Sequence, residues 1–194
     1  FWVESAITTI RGEDGTVTHY LAIQEDVTTR KHYEEKLLQQ ATYDELTGLP
    51  NRLLGADRLS AALLRAQRDS TTVALLFIDL DGFKRVNDSL GHSTGDSLLK
   101  EAAQRLTGVV RATDTVARWG GDEFLIVLPD LHSPDQAEKV AHKVLAASCA
   151  PYLLDGYELS VTASIGIAVY PLDGTDVSGL MRGADTAMYA AKDA

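Results

Sequence analysis

From Thr72 to Lys192, strand-type and helix-type hydrophobic patterns follow one another in the order β-α-β-β-α-β-α, and few folds accept that order. The apolar run Thr72 to Leu80 reads as a strand, about Gly95 to Val109 as a helix, and Thr115 to Arg118 and Glu123 to Leu128 as two short strands. Pro134 to Ala150 then reads as a helix, Leu159 to Tyr170 as a long strand region and Val177 to Lys192 as a last helix, with a helical turn near Phe83. The order predicts an α+β, ferredoxin-like fold of the palm type, a central antiparallel sheet flanked by helices with one helix added. In that topology the first and third strands of the unit lie side by side and antiparallel at the centre.

The consequence is chemical. Asp79 ends the first of these strands, while Asp122 and Glu123 begin the third, just after a tight turn at Gly120-Gly121 that glycine permits. An acidic strand end is ordinarily a solvated turn residue. Two acidic strand ends meeting across a hairpin are different, because packed carboxylates repel and raise one another's pKa unless a cation neutralises them. Oxygen ligands of this kind suit magnesium or manganese, and magnesium shares its coordination with substrate phosphates.

Upstream, Phe1 to Arg11 and Val17 to Val27 are rich in strand formers and flank Gly12-Glu13-Asp14-Gly15, which predicts a β-hairpin. A hairpin alone has too little core to stand, so Phe1 reads as lying inside a larger domain. From Thr29 to about Thr42 the chain lacks Gly and Pro, and Tyr33, Leu37, Leu38 and Ala41 fall at helical spacing. That stripe fits a solvated linker helix or a short coiled coil and does not choose between them. The loop Asp44 to Arg52 opens a new domain, and Asn51 is placed to cap a helix running to about Asp69. The expected organisation is 1–31 as the hairpin, 32–43 as the linker helix and 44–194 as the principal domain.

Charge and composition narrow the function. With 28 acidic and 18 basic side chains the net charge is −10, which disfavours nucleic acid and anionic membrane surfaces as partners. The apolar run Val73 to Ile78 is far too short to span a bilayer. Cys149 is the single cysteine, so no internal disulfide is possible and a reducing, cytoplasmic setting is expected.

Several spaced strings agree in order: Phe77-Ile78-Asp79-Leu80-Asp81-Gly82-Phe83-Lys84-Arg85-Val86-Asn87-Asp88, Gly91-His92-Ser93-Thr94-Gly95-Asp96 and Arg118-Trp119-Gly120-Gly121-Asp122-Glu123-Phe124. Together they resemble the GGDEF family of diguanylate cyclases, and the resemblance runs from Asp44 to the end. It implies condensation of two GTP into cyclic di-GMP with release of two pyrophosphates, by a homodimer using Mg2+ or Mn2+. Asp79, Asp122, Glu123 and the main-chain carbonyl of Leu80 match the family's metal site, and Asp122 stands where a base for the ribose 3′-hydroxyl is expected. Asn87 and Asp96 match residues that bind the guanine edge; on spacing alone, helix capping serves as well. Lys84 and Lys192, with the main chain around Gly82 and Phe83, match triphosphate contacts, and His92 matches a position near the nucleotide, although a lone histidine is more often structural.

Arg111-Ala112-Thr113-Asp114 matches the family's RxxD product-inhibition site, where a bare Arg and Asp at this spacing would otherwise be a surface ion pair. The second arginine that the family often supplies is replaced by Ala141-His142-Lys143. Glu25 to Lys31 resembles the close of a PAS sensory domain, and Ser164 to Ala168 and Ala184 to Tyr189 resemble hybrids in which a phosphodiesterase (EAL) domain follows. A non-catalytic GTP- or cyclic di-GMP-binding module is the rival function.

Overall fold

The computed structural model describes residues 1–193 except Asp155; Asp155, Ala194 (the end of the expected principal domain) and the side chain of His19 lie outside the described residues. The chain divides into two compact units, Phe1–Ala41 and Thr42–Ala194. In the first, β1 (Val3–Arg11) and β2 (Val17–Asp26) pair antiparallel, and α1 (Thr28–Thr42) begins two residues later. Every residue of β1 is exposed and α1 buries none, with Tyr33, Leu37 and Leu38 about two-thirds open to solvent. Trp2 N–H donates to Thr28 Oγ1 at 2.8 Å, and Arg30 meets Glu4 at 2.7 Å.

The second unit follows the expected order. After α2 (Arg52–Asp69) come β3 (Thr72–Leu80), α3 (Phe83–Leu90), α4 (His92–Val109), β4 (Thr115–Gly120), β5 (Glu123–Leu131), α5 (Asp135–Cys149), β6 (Tyr152–Leu154), β7 (Tyr157–Leu159), β8 (Ala163–Tyr170) and α6 (Val177–Lys192). The four-stranded sheet runs β4-β5-β3-β8, all neighbours antiparallel, so β3 and β5 are central. Asn51 caps α2, its side chain accepting from the N–H groups of Leu53 and Leu54.

Three local differences from the expectations have physical causes. The turn near Phe83 is a two-turn helix, and α4 starts at His92, before Gly95, because Gly91 at φ 86° lets two helices abut. The strand region from Leu159 is split: β6 and β7 form a separate small hairpin, and β8 begins only at Ala163. Asp96 therefore falls in the second turn of α4, and the capping role that its spacing allowed is not what it does.

Strand alternation sorts the core into two layers. Ala74, Leu76, Ile78 and Leu80 of β3 face α4 and α5, against Leu98, Leu106 and Val144. Val73, Leu75 and Phe77 face α2 and α6, against Leu59, Leu180 and Met188. Alternation places Asp79 on this second face, as it does Glu123 beside Phe124 on β5. Gly166 of β8 lies directly under α6, where a Cβ would collide with the Ala184 carbonyl and the Met188 backbone.

Candidate functional site

In the β3–β5 register Asp79 pairs with Glu123, and on its other side Asp79 pairs with Ser164. Directly paired residues project to the same face, so two carboxylates stand side by side at one sheet end. Gly120 pairs with Glu123, leaving Gly121 and Asp122 as the two-residue loop; Gly121 takes φ 53°, which only glycine adopts freely at the first position of such a turn. Leu80 N–H donates to the Asp122 carbonyl at 3.3 Å, tying the loop to the end of β3.

The electrostatics match the geometry. Burial, then the charge of Asp79, pushes the Asp122 carboxyl above its ordinary value. Burial also raises Glu123, followed by the charges of Asp79 and Asp122. Asp79 is itself buried, and Lys192 at the end of α6 donates to its Oδ1 at 2.7 Å, a contact that raises the lysine. Among the described residues no three His, Cys, Asp or Glu groups close around a point that would hold an ion unaided. The donors fit magnesium in the way that ion is usually held, by one or two carboxylates and a main-chain carbonyl such as that of Leu80, with substrate oxygens supplying the rest.

Asp81, which sequence reasoning did not single out, has another role. Its carboxylate accepts from Thr162 Oγ1 at 2.7 Å and Ser164 Oγ at 2.9 Å, joining β3 to the start of β8. Gly82 precedes α3 at φ 74°, and the first N–H groups of that helix have no intrahelical acceptor, the arrangement that receives phosphate. Lys84 is exposed on the same first turn. Asn87 of α3 lies over Gly95 of α4 so closely that a Cβ there would strike Asn87 Oδ1, and Phe83 packs beside them. Gly95 is thus a spacer that keeps the Asn87 amide in place, with Asp96 exposed next to it and His92 exposed at the start of α4.

Behind the hairpin lies a second polar assembly. Arg118 Nη1 reaches both oxygens of Asp44 at 3.1 and 3.0 Å, while its Nε and Nη2 donate to the Gly121 carbonyl at 3.1 and 2.8 Å. Burial pushes the Asp44 carboxyl up, but hydrogen bonds from the Thr47 hydroxyl and N–H and from Arg118 outweigh it and hold it below its usual range. Trp119 lies edge-on to Phe77 and carries the Arg52 guanidinium 4.9 Å above its ring. The signal for this assembly was present in the sequence as Asp44-x-x-Thr47, an Asp-led turn, but its partner lies 74 residues away.

Arg111 and Asp114 sit in the turn between α4 and β4, at the opposite end of β4 from the hairpin that carries Asp122. Asp114 Oδ2 accepts from Arg111 N–H at 2.8 Å, so the pair is a turn rather than the surface ion pair its spacing allows. Beside them opens a cleft of about 590 Å³ whose walls include Tyr43, Leu54 and Arg58. Neither guanidinium has a carboxylate within 4 Å among the described residues. In the Ala141-His142-Lys143 segment, His142 meets Glu138 at 3.7 Å.

Comparison with known proteins agrees with this arrangement. The family model described as diguanylate cyclase, GGDEF domain, matches residues 41–194. The bifunctional diguanylate cyclase/cyclic di-GMP phosphodiesterase MucR of Pseudomonas aeruginosa is 49% identical over 158 residues, 81% of this chain and 23% of MucR, so the chain spans about a quarter of that relative's length. The solved GGDEF domain of TpbB from Pseudomonas aeruginosa is 45% identical with a TM-score of 0.76, covering 78% of this chain and 88% of that one. The coiled coil and GGDEF domain of DgcB from Caulobacter crescentus, solved with c-di-GMP, superposes with a TM-score of 0.77 at 27% identity, over 87% of this chain and 89% of that one. A family match across some three quarters of the sequence and a common fold make this chain a member of the GGDEF diguanylate cyclase family.

Proposed function

We propose that this chain condenses two GTP into cyclic di-GMP, with one GTP on each of two facing copies. The observation that carries the reading is the β3–β5 register, which sets Asp79 opposite Glu123 with Asp122 in the adjoining turn. Asp79, Asp122 and the Leu80 carbonyl would hold a magnesium or manganese ion, which when bound supplies charge neutralisation and polarisation of phosphate oxygens. Asn87 and Asp96 orient the guanine, an amide and a carboxylate suiting an edge that offers both acceptors and donors. The first N–H groups of α3 and Lys84 take the triphosphate, and Lys192 is within reach to leave Asp79 for it. Asp122, as the carboxylate, accepts the proton of the ribose 3′-hydroxyl as that oxygen attacks the partner nucleotide's α-phosphorus and pyrophosphate departs.

Cyclic di-GMP then feeds back at Arg111 and Asp114. Arg58 supplies the second guanidinium in place of the arginine absent from the Ala141-His142-Lys143 segment, and Tyr43 offers a face for a purine. The hairpin of β1 and β2 belongs to a PAS-type sensor, and α1 sets how two catalytic units meet. The same cleft favours a second reading, a module that binds cyclic di-GMP without making it.

Incubation of the full-length protein with GTP and magnesium, followed by chromatography, separates these readings. Cyclic di-GMP formation that disappears in Asp79→Ala and Asp122→Ala supports the cyclase. Product formation indifferent to both changes rejects the site, and binding without turnover selects the module.

A further inference from the structure

The tip of the β4–β5 hairpin has little packing to hold it. A Cβ placed on Gly120 or Gly121 would meet nothing within 4 Å, so neither glycine is braced on its Cβ side and polar bonds take a large part in holding the loop. Two of these act on Asp122. On one side its own carbonyl accepts from Leu80 N–H. On the other, the Gly121 carbonyl and the Asp122 N–H belong to a single planar peptide unit, and Arg118 grips that unit through Nε and Nη2.

Arg118 is in turn immobilised. Its side chain is 15% exposed, and Asp44, 23% exposed, takes Nη1 on both oxygens while accepting from the Thr47 hydroxyl at 2.7 Å and N–H at 2.9 Å. Arg118 N–H also donates to the Pro50 carbonyl at 2.9 Å, so its backbone is anchored to the same loop. The guanidinium bonds the Asp44 carboxylate and the Gly121 carbonyl at once because its donors lie in one rigid plane; an ammonium cannot bridge both acceptors with that geometry.

We infer that Arg118, locked by Asp44, is a positioning residue: it fixes the Gly121–Asp122 peptide plane and through it the direction in which the Asp122 carboxylate points. Arg118 touches neither substrate nor reacting atoms. The inference rests on the role given to Asp122 above, and its test includes measurements that do not need turnover.

In the full-length protein, Arg118→Ala is compared with Arg118→Lys and Asp44→Asn. Amide exchange at Gly121, Asp122 and Glu123 is expected to accelerate about tenfold in Arg118→Ala while the β3 amides stay protected. Binding of Mn2+ with GTP, read by electron paramagnetic resonance, should weaken roughly tenfold. Turnover should fall on the order of 100-fold with KM for GTP moving less than about threefold, and methylguanidinium should restore part of it in Arg118→Ala and none in the parent. Should Arg118→Ala fail to fold, Arg118→Lys and Asp44→Asn are expected to give the same effects at smaller size. Unchanged exchange at residues 121–123 together with Mn2+ binding within about twofold of the parent overturns the inference. A parent protein that makes no product, yet shows the exchange and Mn2+ effects, overturns the cyclase reading and leaves this one standing.

Discussion

The two sides of the Gly120-Gly121 hairpin handle carboxylates in opposite ways. Behind it, Asp44 has more partners than it needs, with Thr47 and Arg118 together holding its charge in place. In front, Asp122 and Glu123 are pushed toward the neutral form by burial and by Asp79, and the nearest compensation is the Lys192 ammonium on Asp79. The rear assembly is complete within the protein, whereas the front is charge waiting for a counterion. A few residues of one turn thus join a rigid support to an electrostatically unsatisfied site, the pattern expected where stability is given up for chemistry.

The widest separation between the two sides should come from activity. Asp79→Asn or Asp122→Asn is expected to cut kcat/KM on the order of 1000-fold, measured as cyclic di-GMP formed from GTP, while the melting temperature does not fall. Lys192→Met should raise KM for GTP roughly 30-fold, because a charge-assisted contact is lost from the substrate and from Asp79. A region belonging to neither side should give a smaller signal: Arg58→Ala is expected to raise the cyclic di-GMP concentration for half-inhibition about fivefold, and no change would remove Arg58 from the product site.

The finest test is pH, measured as melting temperature with a chelator present. The depressed pKa of Asp44 gives stability that is present above its unfolded value of 3.8 and is lost as pH falls through the folded value. Asp122 and Glu123 are raised above 3.8 and 4.5, so their charged forms cost stability at neutral pH; that cost begins to shrink as pH falls through the raised values and is gone below 3.8 and 4.5. Mild acidification should therefore stabilise the protein before stronger acid destabilises it. Asp122→Asn should flatten the first limb and Asp44→Asn the second, each by roughly 2–4 °C. A single monotonic fall in both variants would erase the contrast.

Much of this was readable from residue order. The β3 and α6 bounds coincide with the hydrophobic runs that predicted them, because both elements bury an uninterrupted face. The meeting of Asp79 with Glu123 followed from topology, since the ferredoxin-like order allows the first and third strands only one neighbourly arrangement. The start of α4 was not readable: Gly95 and Gly91 look like helix breakers, and only the packing of Asn87 over Gly95 explains a glycine inside the helix. Nor was the β6–β7 hairpin, whose strands of three residues are too short for a period to show. Arg118 stood in plain view beside the hairpin, but its partner Asp44 is named by three-dimensional contact, which no local pattern encodes.

Gly166 acts as a gauge. Because it lets α6 settle onto the sheet at Ala184 and Met188, it sets the height at which the last turn of that helix passes the end of β3. Lys192 sits one turn beyond Met188, about 6 Å along the axis. A single methyl group at position 166 would lift the helix like a shim under a beam and carry the ammonium off Asp79, so the smallest residue of β8 calibrates the position of the longest cation at the site.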